Sequence, residues 1–453
     1  MLPKGAKICI IGAGIGGLSI GSLLAKEGIS VQVFEKLDKV GGRTASMMFR
    51  NHILDNGFHI MPFYKQSAIY KVLKLLGIEK RLRLTKVRNI AFYESQKFYK
   101  YPTSIIDILT LSLVSFRSRL HLLKVLLPIS FATMNKTESW DRIPLTHITQ
   151  TLDMQSKLFF DAICMLAFAD TPEHISLGEF ARTIIRANPF RGGTSEFGYP
   201  EEGGYDTIAK ILAKYIMESK TNSSILLDTQ IKKVIVENGK VKGLITYQND
   251  FIESDCIVIS YPAYTAISQL FDSEVFDMEF IRQVNKLNKT TSVVEAHFAL
   301  SKKIEERQII FPIGNQFITK GIFFISNISS KVSPSGEQLV LVGTPVSSED
   351  AVKPDSIRKI VQDMKDNLVT IYPHFSEEKD LLWERPMAWQ LVESVVKEPG
   401  LVWKQKMPHE VTEKVEGLFF VGDSTVSYGI GTDSAAHSAL LCYPKILSYL
   451  SLK

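Results

Sequence analysis

The chain has 453 residues, of which 45% are hydrophobic, 10% aromatic and 22% charged, with a net charge of +5. That length exceeds one simple core and points to two or three cooperating lobes, while the composition excludes a disordered, collagen-like or disulfide-stapled chain. So mild a charge gives no reason to expect nucleic acid as a partner, and four scattered cysteines (Cys9, Cys164, Cys256, Cys442) without a CxxC pair argue against a thiolate metal site and for a reducing, cytoplasmic setting.

The opening, MLPKGAKICIIGAG, reads as a buried strand running straight into glycines rather than as a secretory leader, which needs a longer apolar core and a small-residue cleavage site. No later run reaches the ~18 uncharged apolar residues of a spanning helix. Residues 7–12 are the first strand, 16–27 a helix and 31–35 a second strand, the opening of a doubly wound dinucleotide fold. From about 66 to 200 the pattern is helical, with apolar runs SIIDILTLSLVSF and RLHLLKVLLPISF. Strands return at 225–260, where Asn238-Gly239 between two alternating segments predicts a hairpin. Residues 261–400 are mixed, and the chain closes with a strand at 417–423, a turn, and an apolar helix from about 432 to 450.

This order predicts an α/β protein: a Rossmann-like nucleotide lobe assembled from 1–65, 200–260 and 401–453, with a mixed α+β substrate lobe from 66–199 and 261–400. Charge is uneven as well. Residues 80–136 hold eleven Lys/Arg against Glu94 and Asp107, so this segment carries +9 and the remainder −4. A cap guarding an apolar cavity, with a basic rim that meets anionic lipid headgroups, is one reading of that segment. Core helices with a solvated basic face are the other.

Gly12, Gly14 and Gly17 fit GxGxxG. The first glycine makes the tight turn, the second admits a pyrophosphate to the backbone, and the third lets helix pack on strand. A helix N-terminus then offers unpaired N–H groups to phosphate, and Glu35 closes the second strand, placed for ribose hydroxyls. Downstream stand Gly41-Gly42-Arg43, Asp55-x-Gly57-x-His59, and Gly422-Asp423 near the end. Together these motifs resemble the FAD-binding superfamily of flavin amine oxidases and phytoene desaturases. The phytoene-desaturase-like branch is the better match, because PEEGGYDTIAKILA at 200–213 and the strand block 229–260 are similar to its motifs.

The resemblance implies FAD as cofactor, with Gly12, Ala13, Gly14 and Gly17 at the pyrophosphate and Glu35 at the adenosine ribose. It places Gly42 and Arg43 along the phosphates and ribityl chain, Gly57, Phe58 and His59 by the flavin ring, and Ile231 at the adenine through its backbone. Gly422 and Asp423 fall at ribityl or phosphate oxygens. Thr432 and Asp433, good N-cap residues, open a last helix whose N-terminus suits the negative edge of a reduced flavin. Against each stands a plainer reading: Arg43 as a surface arginine, His59 as a hydrogen-bonded core histidine, Ile231 as a core strand residue.

No catalytic acid or base is legible. His59, Trp389 and Tyr428 are flavin-face candidates, although either aromatic is more often simply packing. No metal ligand set, second GxGxxG unit, GxSxG, HExxH or P-loop is present in the sequence, so electrons would pass by way of substrate, oxygen or a quinone. The expected function is FAD-dependent hydride transfer between a substrate C–H and flavin N5 on a lipophilic isoprenoid or polyene. Oxidation of an amine or amino acid is the alternative, and a non-catalytic FAD-fold binder of a prenyl ligand or protein is a third reading. A cytoplasmic protein with peripheral membrane contact through 80–136 completes the expectation.

Overall fold

The computed structural model describes residues 6–63, 67–188, 196–411 and 414–452; those parts of the expected segments that fall on 1–5, 64–66, 189–195, 412–413 and 453 lie outside it. Strand Ile8–Ile11 is buried at every position, as a strand covered on both faces must be. It pairs in parallel with Val31–Phe34 on one side and Cys256–Ile259 on the other. Ser224–Leu226 and Leu418–Phe420 complete a five-stranded sheet at its two edges. Three separated chain segments therefore meet in one sheet. Ile8 and Ile10 point into the core shared with helix Ile15–Lys26, while Cys9 and Ile11 point into the core of the opposite face.

Helix Ile15–Lys26 packs between the terminal helix Gly431–Ser451 and helix Thr207–Glu218. On the opposite face lies a small antiparallel sheet of Ile231–Glu237, Lys240–Thr246 and Phe251–Glu253. The expected hairpin is present there: Asn238 and Gly239 both have positive φ, 52° and 70°, as a two-residue primed turn requires.

The second large layer is a seven-stranded mixed sheet. In order its strands are Leu381–Trp389, Ser292–Leu300, Gln338–Val346, Gly321–Phe324, Ile309–Pro312, Ile90–Glu94 and Lys97–Lys100. Helix Pro354–Ile371 covers one face through Val361, Met364 and Leu368. The other face looks into a large cavity.

Residues 66–200 are less helical than their Leu-rich runs predict. Helices Ala68–Leu75, Phe116–Ser130, Met154–Phe168 and Leu177–Ala187 are joined by strands Leu84–Val87, Ile90–Glu94, Lys97–Lys100 and Phe197–Pro200. The reason is tertiary: IAFYE finds a parallel partner in Ile309–Pro312, more than two hundred residues away in the chain. Ser95 and Gln96, with φ of 48° and 61°, turn it back onto KFYK.

The basic excess of 80–136 is likewise not a single field. Arg81 pairs with Glu218 at 3.3 Å, Arg83 with Glu202 at 2.5 Å, Lys100 with Asp107 at 2.6 Å, and Lys86 with Glu196. Among the described residues Arg117 and Lys124 have no such pair, and they flank an apolar surface described below.

Candidate active site

The Gly12 turn has φ of +101°, and its N–H donates to the Phe34 carbonyl at 2.7 Å, locking the two strands to the loop. A Cβ on Gly17 would stand 2.1 Å from the Gly12 carbonyl oxygen, so Gly17 lets the helix approach the strand. Gly14 differs: a Cβ there meets nothing within 4 Å, because the position opens on the cavity. Gly14 is the N-cap of the first helix and offers no side chain. The first intrahelical bond runs from the Leu18 N–H, which leaves the N–H groups of Ile15, Gly16 and Gly17 without helical partners. This is an anion site made of backbone.

Glu35 lies at the edge of this turn, buried and lining the cavity. Its carboxylate accepts from the Ala13 N–H at 2.8 Å and the Leu37 N–H at 3.1 Å. The second glycine turn docks on the first through the Gly41 N–H and the Ala13 carbonyl, 2.9 Å apart. It delivers Gly42 and Arg43 to the wall. Arg43 grips Asp423 with both terminal nitrogens, at 2.9 and 2.6 Å, and donates to the Val392 carbonyl at 2.8 Å. Ser394 adds its N–H and hydroxyl to the same carboxylate at 2.8 and 2.7 Å. Burial alone would raise the Asp423 pKa, but the Arg43 guanidinium and the Ser394 donors outweigh it and hold the carboxyl well below its usual range. Behind Asp423, Lys406 donates to its carbonyl at 2.9 Å; burial and the neighbouring Lys397 push this ammonium down to about 7.

Gly57, at φ of +112°, turns the chain so that Phe58 and His59 line the cavity. Burial lowers the His59 pKa, and its Nε2 lies 2.9 Å from the Asn56 carbonyl and 3.2 Å from that of Arg43. Two carbonyl acceptors on one nitrogen require a proton on Nε2, and burial favours the neutral form of the ring. His59 is thus both a hydrogen-bonded core histidine, stacked on Tyr205, and part of the wall. Ile231 buries its side chain among the strands and still borders the cavity, along with Gln230 and Lys232.

Three expectations are corrected. Tyr428 lies outside the cavity wall, packed on His437 at 3.8 Å and Trp403 at 5.1 Å with Arg186 over its ring, because the turn after Asp423 carries it away from the chamber. Thr432 and Asp433 do not cap the terminal helix, whose N-cap is Ile430. Both sit in its first turn and border the cavity, and the Asp433 carboxylate is drawn away to Ser67, the Ala68 N–H and Arg186. Ala13 stands behind the wall with its N–H already given to Glu35, whereas Gly17, close-packed on Gly12, offers the site only its backbone N–H.

The glycine turns, Glu35, Arg43, Phe58, His59, Ile231 and Asp423 border one cavity of about 1410 Å³. It runs from the glycine turns, across the sheet face carrying Val293, Glu295, Gly321 and Gly343, to Tyr101, Ile106, Leu127 and Phe131. Sequence reasoning missed Glu295 and Lys320, a carboxyl and an amine in an apolar wall. An acid inside an otherwise apolar strand, SVVEAHFAL, was the available signal. Trp389 does line the cavity, and its indole N–H donates to Glu295 at 2.6 Å.

Residues 15–442 match the family described as flavin containing amine oxidoreductase. The chain belongs to this family. Among relatives, it is 23% identical to a 4,4'-diapophytoene desaturase (4,4'-diapolycopene-forming) of Methylomonas sp., over 92% of this chain and 91% of that protein. It is 22% identical to the 15-cis-phytoene desaturase of Solanum lycopersicum, over 98% of this chain and 78% of that one. An oxidoreductase from Methanosarcina mazei has the same fold, with a TM-score of 0.76 at 20% identity, covering 96% and 99% of the two chains.

The cofactor of this flavin-dependent oxidoreductase is FAD. The backbone anion site, the open face of Gly14 and the ordered Arg43 guanidinium fit a dinucleotide. No helix among the described residues is long and apolar enough to cross a membrane.

Proposed function

We propose that this flavoprotein desaturates, saturates or isomerises a lipophilic isoprenoid or polyene. The observation that carries the reading is the cavity itself: it continues from the cofactor cradle to an apolar mouth on the protein surface. Helices Ile105–Thr110 and Phe116–Ser130 pack together at that mouth. There Ile106 is 71% exposed, Phe116 64%, Leu120 49% and Phe131 55%, and Ile106 and Phe131 also line the cavity. Single exposed apolar residues need no explanation, but four around an entrance mark a contact surface. Arg117 and Lys124 beside them suit anionic headgroups, so the substrate would pass from a lipid surface directly into the chamber.

In this reading the N–H groups at Gly14–Gly17 hold the pyrophosphate, Glu35 the ribose, and Arg43, fixed by Asp423, the phosphate and ribityl side. Gly57, Phe58 and His59 pack by the ring. When bound, FAD supplies two-electron hydride chemistry. The chain supplies a dry apolar sheet face against which a polyene lies, and excludes water from the reacting carbons. Oxygen or a quinone would restore the oxidised cofactor. Incubation with 4,4'-diapophytoene and with phytoene in liposomes tests the reading: a product with altered conjugation supports it, and unchanged polyenes under both oxidised and reduced starting conditions overturn it.

A further inference from the structure

Strand Ser292–Leu300 is buried at all nine positions. Its alternate residues divide between two faces: Val294, Ala296 and Phe298 meet the core under helix Pro354–Ile371, whereas Val293 and Glu295 face the cavity. A carboxyl group there serves no structural need that Val or Leu would not meet better. Glu295 is 0% exposed; Oε1 accepts the Trp389 indole N–H, and among the described residues Oε2 has no partner. Beside it in register stands Gly343, where a Cβ would come within 2.3 Å of the Phe58 ring and 3.3 Å of the Glu295 Cβ. Phe58 and Glu295 therefore flank the space of one missing side chain, and in the reading above Phe58 would pack by the flavin ring. A half-satisfied, fully buried acid stands at the wall of the chamber.

We propose that Glu295 is a catalytic residue that exchanges a proton with the substrate carbon next to the one engaged in hydride transfer. This rests on the polyene reading above. In the desaturating direction one C–H bond breaks with its electron pair passing to the oxidised flavin. The neighbouring C–H bond breaks with its pair forming the C=C bond, and the proton goes to the Glu295 carboxylate. In the saturating direction the same acid returns that proton to carbon while reduced flavin returns the hydride.

The surroundings set the group's affinity for a proton. Burial, with the like charge of Asp55 on strand His52–Asp55, pushes the carboxyl up to about 8 against the opposing hydrogen bond from Trp389. His297 and Arg385 pair one step along the same face, and burial with the Arg385 charge pushes His297 down to about 3. Lys320, ahead of strand Gly321–Phe324, also faces the cavity, and its electrostatic partner is Asp161. A carboxylate this reluctant to ionise is a strong base once charged, suited to a weakly acidic C–H.

Infrared difference spectroscopy of the FAD-loaded protein tests the protonation directly. A neutral-carboxyl band that disappears with a midpoint near pH 8, shifts in Trp389→Phe and is absent in Glu295→Gln supports the proposal. A Glu295 already ionised at pH 6 overturns it. Turnover of 4,4'-diapophytoene and phytoene in liposomes tests the role. At equal FAD content, Glu295→Gln should lower kcat by about 100-fold or more with little change in KM, and Glu295→Asp should restore part of it. A Glu295→Gln protein within about three-fold of wild type overturns the role, a general acid–base contribution being at least about 100-fold. If wild-type protein converts neither polyene, the substrate reading falls and the infrared titration alone decides Glu295.

Discussion

Arg43 and Asp423, 380 residues apart in sequence, form a two-point ion pair at 2.6 and 2.9 Å that ties the second glycine turn to the last strand of the parallel sheet. The pair joins two distant segments at the cavity wall, because each partner comes from a different end of the chain. Removing Arg43 leaves the Asp423 carboxylate buried without its charged partner, a loss of up to about 3–5 kcal/mol. Removing Asp423 should cost less, because Arg43, with 37% of its side chain exposed, regains water. We expect Arg43→Met and Asp423→Ala to lower Tm and to purify with little flavin. The Asp423 carboxyl sits well below its usual pKa. Its stabilising effect is therefore present above the unfolded carboxylate range and is lost as pH falls through the folded value. Thermal melts from pH 6 downward should show a shallower acid loss in Asp423→Asn than in wild type.

The second and third glycines of the first turn should separate folding from cofactor binding. A side chain at Gly14 enters open cavity, so Gly14→Val should fold and stay colourless. A side chain at Gly17 strikes the Gly12 carbonyl at 2.1 Å, so even Gly17→Ala should cost stability before binding is measured. Tm and the flavin-to-protein absorbance ratio of the two purified variants check this. The reverse pattern would mean that the helix N-terminus is not the anion site.

Glu295 links chemistry to stability. Its folded pKa is raised to about 8, so its neutral form favours the folded state below the unfolded carboxylate range, and that contribution is lost as pH rises through 8. Wild-type stability should fall between about pH 4.5 and 8 relative to Glu295→Gln, by a few kcal/mol at about 1.4 kcal/mol per unit. Chemical denaturation of both proteins at pH 5 and pH 8 measures the difference. Equal pH dependence would place a charged Glu295 in the native chamber.

For the apolar mouth, the ionic and apolar parts of membrane contact should separate. Arg117→Glu with Lys124→Glu should reduce binding to anionic vesicles and its salt sensitivity, since exposed attraction is screened within ~10 Å at 0.1 M salt. Phe116→Ser with Phe131→Ser should reduce binding to anionic and neutral vesicles alike. Arg119 is a poorer probe, because its guanidinium is held by the carbonyls of Val114 and Leu109. Flotation assays with the FAD-loaded variants measure both effects.

The proposed cofactor cradle was legible in the sequence because its parts are local: Gly12, Gly14, Glu35 and Gly42-Arg43 lie in turns and at strand ends whose spacing shows in the chain, and the structure brings them to one cavity wall. The partner of Arg43 was legible only as a Gly-Asp dipeptide, since nothing local says that Asp423 would meet a guanidinium from the other end. The strands at 84–100 were hidden because their pairing partners are remote, and the Leu-rich runs beside them outweighed a short alternating segment. Thr432 and Asp433 have good capping chemistry, yet Ser67 and Arg186 claim the Asp433 side chain from across the fold. Glu295 showed only as one acid in an apolar strand, and its meaning came from Gly343, Phe58 and Trp389, which no spacing rule connects.

The account is tested most directly by the anaerobic absorbance spectrum of the flavin after mixing with a polyene in liposomes. With 4,4'-diapophytoene or phytoene the account predicts that oxidised flavin bleaches as polyene conjugation lengthens, or, in the saturating direction, that photoreduced flavin recovers its colour as a conjugated polyene shortens. A flavin indifferent to polyenes from both starting states, yet bleached rapidly by a primary amine, would contradict it.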